Sequence, residues 1–195
     1  MRKTQLITAL LATLLAAPVF AQNAATSVQR DVNQQQRIEN GLQSGQLTTR
    51  EAARLEREES RVDHAEAKAL RDGSMSAQEK RNISRLQNDA SRDIAAQKHD
   101  AQTGNPDSAS SKRMQADVQR NINQQQRVEN GIKDGSLTNH EAARMERGQA
   151  RVNRRESQAG RDGHVGSVEQ ARVQRTENRQ SGRIHRQRHD AQHRG

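Results

Sequence analysis

Residues 28–102 recur at 118–192 without a gap. Val28 to Gly41 reads VQRDVNQQQRIENG, and Val118 to Gly131 reads VQRNINQQQRVENG. The ninety-residue offset still holds where His99-Asp100-Ala101-Gln102 meets its match in His189-Asp190-Ala191-Gln192. An insertion-free duplication implies that one unit is a structural module whose loop lengths matter. It also supplies an internal comparison, because each position can be read against its counterpart ninety residues away.

The period inside each unit is helical. Val28, Val32, Ile38 and Leu42 share one face at 3.6-residue spacing. A second helix, roughly Thr49 to Asp72, carries Ala52, Leu55, Val62 and Ala69 as a narrow seam that Glu59 and Glu66 interrupt. A third, from Ala77, presents Ile83, Leu86, Ala90 and Ile94. No segment has strand periodicity. The expected fold is all-α: two tandem three-helix hairpin or bundle repeats with a thin aliphatic core.

The connections carry their own punctuation. Gly45 to Glu51, Gly73 to Glu79 and Gly135 to Glu141 share the pattern Gly-x-apolar-Ser/Thr-x-x-Glu. Glycine ends one helix in the left-handed conformation. The hydroxyl residue then caps the next helix while Glu three positions on returns the bond. The expected capping pairs are Thr48 with Glu51, Ser76 with Glu79 and Thr138 with Glu141. The same loops resemble the second half of an EF-hand, but Leu42, Leu70, Ile132 and Gly160 fall where calcium needs oxygen ligands. Capping is therefore the reading adopted.

The chain opens like a secretory signal peptide. Arg2 and Lys3 precede an apolar stretch from Leu6 to Ala17, and Val19-Phe20-Ala21 forms a small-residue cleavage site. The apolar run is too short for a comfortable membrane span, so the mature chain is expected in the periplasm or outside the cell. Cleavage would remove Phe20, the only residue among Phe, Tyr and Trp, leaving none of those rings to stack a base or fill a ligand pocket. Val, Ile, Leu and Met supply 24 of the 174 residues after Ala21. That is below the roughly 20% at which disorder becomes the default, so the core must be thin. No cysteine is present to staple it.

Five segments follow from this: residues 1–21 as signal peptide, 22–27 as a flexible tail, 28–102 as helical repeat 1, 103–116 as a linker and 117–193 as helical repeat 2. The second repeat loses Leu70 to Gly160, Leu86 to Thr176, Ala90 to Gln180 and the capping Ser76 to Gly166. It is expected to be weakly ordered after about residue 155.

Charge separates the two units. Residues 22–105 hold 13 basic and 13 acidic side chains, whereas 106–195 hold 18 and 11. Arg172, Arg175, Arg179, Arg183 and Arg186 recur every three or four residues, a basic face that could contact a polyanion or an acidic partner. The same residues would equally serve as a solvated face kept for solubility. His185, His189 and His193 stand four residues apart and could share Zn, Cu or Ni on a helix. The crowding arginines oppose a cation there. The preserved Asn-Gln-Gln-Gln-Arg of 33–37 and 123–127 suggests an amide network, against the second helix or between units, or a role in self-association.

Leu47-Thr-Thr-Arg-Glu51 and Leu137-Thr-Asn-His-Glu141 resemble the Leu-Thr-x-x-Gln motif of Spy/CpxP-type periplasmic helical proteins, with Glu in place of Gln. The resemblance implies an ATP-independent surface for unfolded or stress-related clients. Nothing in the sequence pairs a nucleophile with a base or builds a phosphate-cradling loop. The expectation is an exported, non-catalytic binding or chaperone-like protein needing no cofactor, acting on protein or anionic surfaces and not on chromosomal nucleic acid. The alternative is a periplasmic metal buffer or sensor using the histidine stripe.

Overall fold

The computed structural model describes residues 17–192, with side chains from Gln22 onward. Residues 1–16, which hold most of the expected signal peptide, and His193 lie outside the described residues. Six helices follow one another: α1 (Ala17–Ser44), α2 (Thr49–Ala69), α3 (Ala77–Lys98), α4 (Ala109–Lys133), α5 (Asn139–Ala159) and α6 (Ser167–Gln187). The described residues contain no strand, and the all-α expectation stands. None of the described helices is long and apolar enough to cross a membrane.

The boundaries follow the punctuation. Thr48 accepts from the Glu51 backbone N–H while the Glu51 carboxylate takes the Thr48 N–H at 2.8 Å. Ser76 with Glu79 and Thr138 with Glu141 close the same reciprocal pair. Gly45 and Gly135 take φ of +74° and +77°, a conformation a side chain would resist. At α6 the glycine counterpart keeps half of the arrangement, with the Gly166 N–H bonded to the Glu169 carboxylate at 2.8 Å.

The helices pack chiefly across the two units. Arg50, at the start of α2, donates to the Asp162 carbonyl beyond the end of α5 at 2.8 Å. Asn139, at the start of α5, donates to the Gly73 carbonyl beyond the end of α2 at 2.6 Å. These two helices are therefore antiparallel. Where they cross, Ser60 Oγ donates to the Ala150 carbonyl and Asn153 Nδ2 donates to Asp63 Oδ2, both at 2.8 Å. Each bond joins a residue to its own counterpart ninety positions on, which marks a local two-fold axis through the crossing. α1 and α4 pair in the same antiparallel sense.

Two apolar clusters result, and each draws on both units. One gathers Ala24, Ala25, Val28, Val62, Leu70 and Ile83 with Val128, Ile132, Leu137, Met145 and Ile184. The other gathers Val32, Ile38, Leu42, Leu55 and Ile94 with Met114, Val118, Ile122, Val165 and Val173. Burying each such aliphatic side chain is worth ~1.5–3 kcal/mol, so sharing lets a sparse apolar complement close two cores.

Sharing also orders segments expected to be loose. Residues 22–27 continue α1, with Ala24 and Ala25 buried against the far end of α4. The linker is shorter than its expected span, because α4 begins at Ala109 and places Met114 in the core. Beyond residue 155 the chain finishes α5 and forms all 21 residues of α6, held by buried Val173, Glu177, Gln180 and Ile184. Those contacts come from the other helices and leave little trace in α6's own sequence.

Candidate functional site

The arginines expected on α6 line one wall of a groove whose other wall is α5. One stretch, of about 530 Å³, runs between Arg151, Arg154 and Arg155 on α5 and Arg179 and Arg183 on α6, with Gly148, Gln158, Thr176 and Gln180 completing its lining. A second, of about 400 Å³, continues past Arg144, Arg147 and Arg186 and shares Arg151 and Arg183 with the first. Arg172 and Arg175 line a further hollow with Arg155, Thr176 and Arg179. No Asp or Glu lines these three stretches. Partial burial, then Arg183, then Arg147, hold the Arg151 guanidinium below its usual range. Like charges are thus crowded around Arg151 and Arg183, and the carboxylate of Glu169 stands only beside Arg155 and Arg172 at one end.

The first unit shows what this face looks like otherwise. At the positions of Gly148, Arg155, Arg172, Arg179, Arg183 and Arg186 it has Glu58, Ala65, Asn82, Asp89, Asp93 and Ala96. Burial, then the neighbouring Asp93, push the Glu58 carboxyl up to about 7, while Arg61 and Arg54 pull it down. A face of mixed charge in the first unit, where Arg54, Arg57 and Arg61 stand with Glu58, Asp89 and Asp93, is an arginine groove in the second. Its floor is a matched exchange: a Cβ on Gly148 would lie 1.8 Å from Gln180 Oε1. Gln180 is itself fixed by donating to the Met145 carbonyl at 2.8 Å. The first unit has the reverse pair, Glu58 with the smaller Ala90.

The histidine stripe is only partly helical, since α6 ends at Gln187. The exposed rings of His185 and His189 lie 4.4 Å apart and tilted by 37°. His189 Nδ1 is occupied by the His185 carbonyl at 2.7 Å. Nearby, Arg188 anchors the end of α6 to Asp134 at 2.8 Å.

Asn33 to Arg37 and its copy act as clamps between helices. Gln34 donates to the Gln87 carbonyl at 2.6 Å, and Arg37 to Ser91 Oγ at 2.9 Å and to the Ser91 carbonyl at 3.1 Å. Gln124 and Arg127 repeat this on Glu177 and Ser181. The third amide differs between units: Gln35 donates to Glu56 at 3.0 Å, whereas Gln125 crosses to Asp63 at 3.2 Å.

The hydropathy pattern gave no warning of the interior. Asp31, Glu56, Glu59, Asp63, Glu66, Asp117, Glu146, Glu156 and Glu177 are all buried, and no Lys or Arg among the described residues is. Burial is the first cause raising every one of these carboxyls. Glu56, Glu66 and Asp117 are pushed up to about 7 and Glu177 to about 8. One group stands out. Asp31, Asp63 and Glu66 each offer an oxygen within 4.8 Å of the others, the only such trio of His, Cys, Asp or Glu among the described residues. The signal that could have found it is in the unit comparison. Asp31, Glu59 and Asp63 face Asn121, Gln149 and Asn153 ninety residues on, acid for amide at each position.

No protein-family model, curated protein or solved structure matches this chain.

Proposed function

We propose that the chain is an exported, non-catalytic binding protein whose α5/α6 groove holds an acidic or polyanionic partner. The observation that carries this reading is the conversion of one face between units, from Glu58, Asp89 and Asp93 to Gly148, Arg179 and Arg183. Mixed charges suffice for a solvated face kept for solubility. It gains nothing from crowding guanidinium groups until Arg151 is held below its usual range. Arginine forks bind phosphate, sulfate or carboxylate groups in pairs of parallel hydrogen bonds, and a partner bearing such groups would relieve that crowding. Export rests on Arg2, Lys3 and the apolar stretch after them.

The clients implied by the Spy/CpxP resemblance divide into acidic and apolar kinds. Val168 is the only large hydrophobic side chain exposed among the described residues, at 62%. A surface for unfolded apolar segments would need a contiguous patch. The acidic client is the one this surface fits.

The test is titration with heparin, a sulfated polyanion, across a salt series. Binding should weaken linearly in log salt. The Arg179→Asp/Arg183→Asp variant, which carries the first unit's residues, should bind at least ~10-fold more weakly, because two phosphate-type contacts are lost. Unchanged affinity in that variant would remove the groove as the binding surface.

A further inference from the structure

We propose that Asp31, Asp63 and Glu66 form a binding site for one hard divalent cation, with the buried carboxyls of Glu59 and Glu146 close enough to add to its negative field. The site lies in the interior between α1, α2 and α5, away from the arginine groove, and does not depend on what that groove holds.

The first support is geometric. Three carboxylate oxygens from two helices lie within 4.8 Å of one another. Oxygens around a common cation at 2.0–2.6 Å stand no farther apart than about twice that distance. The donor set is oxygen only, with no imidazole or thiolate, which suits calcium, magnesium or manganese over zinc or copper.

The second support is a set of buried oxygens with no amide, hydroxyl or cationic donor. Asp31 Oδ2 and Glu66 Oε2 meet none, and the Asp31 and Glu66 carboxyls bond to each other only by sharing a proton. Neither oxygen of Glu59 or of Glu146 has a partner. Glu59 and Glu146 are 0% and 1% exposed. Glu59 lies close enough to Asp31 and Asp63, and Glu146 to Asp63 and Glu66, for their charges to act on those carboxyls. An unpaired buried carboxylate is among the most costly groups a fold can hold. No Lys or Arg among the described residues is buried with these, and the half-buried Arg37 acts on Glu59 from the side.

The remaining oxygens are held in place. Gln87 donates to Asp31 Oδ1 at 2.7 Å, and Ser27 Oγ donates to Glu66 Oε1. Asp63 accepts from Gln125 at 3.2 Å and Asn153 at 2.8 Å. Outer hydrogen bonds of this kind orient the ligands of a metal site.

The second unit supplies the control. Gln149 donates to Asn121 Oδ1 at 2.8 Å, Asn121 donates to Asn153 Oδ1 at 2.9 Å and to Glu156, and Asn153 donates across the axis to Asp63. At these positions the amides bond to one another and to the carboxyls of Glu156 and Asp63, and of the three amides only Gln149 leaves an oxygen, Oε1, without a partner. A structural role alone is met by amides, so the acids of the first unit call for a different explanation. A carboxylate there offers a cation both an oxygen and a negative charge, whereas an amide offers an oxygen alone.

The experiment uses the full chain after chelation, at about pH 7.5, titrated calorimetrically with calcium, magnesium or manganese chloride and melted by circular dichroism with and without each ion. The expected result is one cation per chain and a melting temperature raised by several degrees. The Asp31→Asn/Glu59→Gln/Asp63→Asn variant, which carries the second unit's residues, should remain helical and lose both responses. If that variant does not fold, the single Asp31→Asn variant should bind at least ~10-fold more weakly, since one charged ligand is gone. Absence of binding and of any melting shift in the unsubstituted chain would overturn the proposal. So would an undiminished response in a folded variant.

Discussion

Raising the pH from about 5 to about 8 in the absence of divalent ions should destabilise this protein steeply. Glu66 has an ordinary value of 4.5 and is pushed up to about 7, first by burial, with hydrogen bonds from Asp31 and Ser27 pulling the other way. Asp117 moves from 3.8 to about 7 for the same first cause, against the pull of Arg120 and Gln170. A carboxyl raised in the folded state binds a proton that the unfolded chain has already released. Stability is then fully present below the unfolded value near 4, is lost as pH climbs, and levels off above the folded value. One unit is about 1.4 kcal/mol, so a single such group removes roughly 3 kcal/mol across the interval. The buried carboxyls act on one another and their costs do not add. Even one is a large share of the 5–15 kcal/mol that holds a typical domain together. Urea denaturation followed by far-UV circular dichroism at about pH 5, 6, 7 and 8, with chelator present, measures the fall. Stability that is flat over this range, or that rises toward neutrality as in most proteins, would refute the reasoning that burial of these carboxyls outweighs the charges and hydrogen bonds favouring their ionised forms.

Other perturbations test the packing and the punctuation. Gly148→Ala places a methyl group where Gln180 Oε1 sits at 1.8 Å and must break the Gln180–Met145 bond. It should cost ~1–3 kcal/mol of stability in the same denaturation assay. Thr138→Ala removes one reciprocal cap and should cost ~1 kcal/mol while leaving heparin affinity unchanged by titration. Asn153→Asp replaces the amide that donates to Asp63 with a second buried carboxyl. Its destabilisation should be larger at about pH 8 than at about pH 5, measured as a difference in urea midpoint.

The helix boundaries were legible because their signals are local. The capping triads and turn glycines specify where α2, α3 and α5 begin, whatever the helices later touch. The arginine stripe on α6 was legible too, but its opposite wall was not, because Arg151 and Arg154 gain meaning only when α5 lies beside α6. The buried acids were misassigned for a clear reason. Hydropathy sends Glu59 and Glu66 to water, so they read as interruptions of a weak seam. They are instead on the core-facing side of α2, covered by helices of both units. The apparent decay of the second unit has a packing explanation. A Cβ on Gly160, which replaces Leu70, would lie 2.5 Å from Met114 Cε and 2.8 Å from Ala53 Cβ, so the missing side chain is space used by a neighbour. Gln180 likewise fills the room that Gly148 leaves.

The two-fold crossing of α2 and α5 explains why two unlike units serve better here than two identical ones. Residues on such an axis meet their own counterparts, as Ser60 meets the Ala150 carbonyl and Asp63 meets Asn153. In a symmetric pair of identical chains, position 63 would face itself. Two aspartates would set like charges together in the interior, and two asparagines would leave no charge there. Covalent fusion frees the two sides to differ, so Asn153 can donate to Asp63 at 2.8 Å and leave that carboxylate in place for the Asp31–Glu66 group. The same freedom lets one outer face keep Asp89 and Asp93 while the other becomes an arginine groove. Interior and surface asymmetry thus share one physical origin. It follows that Asp63→Asn, which restores identity at the axis, should stabilise the chelated protein near neutral pH by removing a buried charge. The same substitution should abolish any melting shift produced by a divalent cation. A melting temperature lowered by Asp63→Asn in chelator would show that the Asp63–Asn153 pairing contributes more than the desolvation it incurs, and this account of the asymmetry would fail.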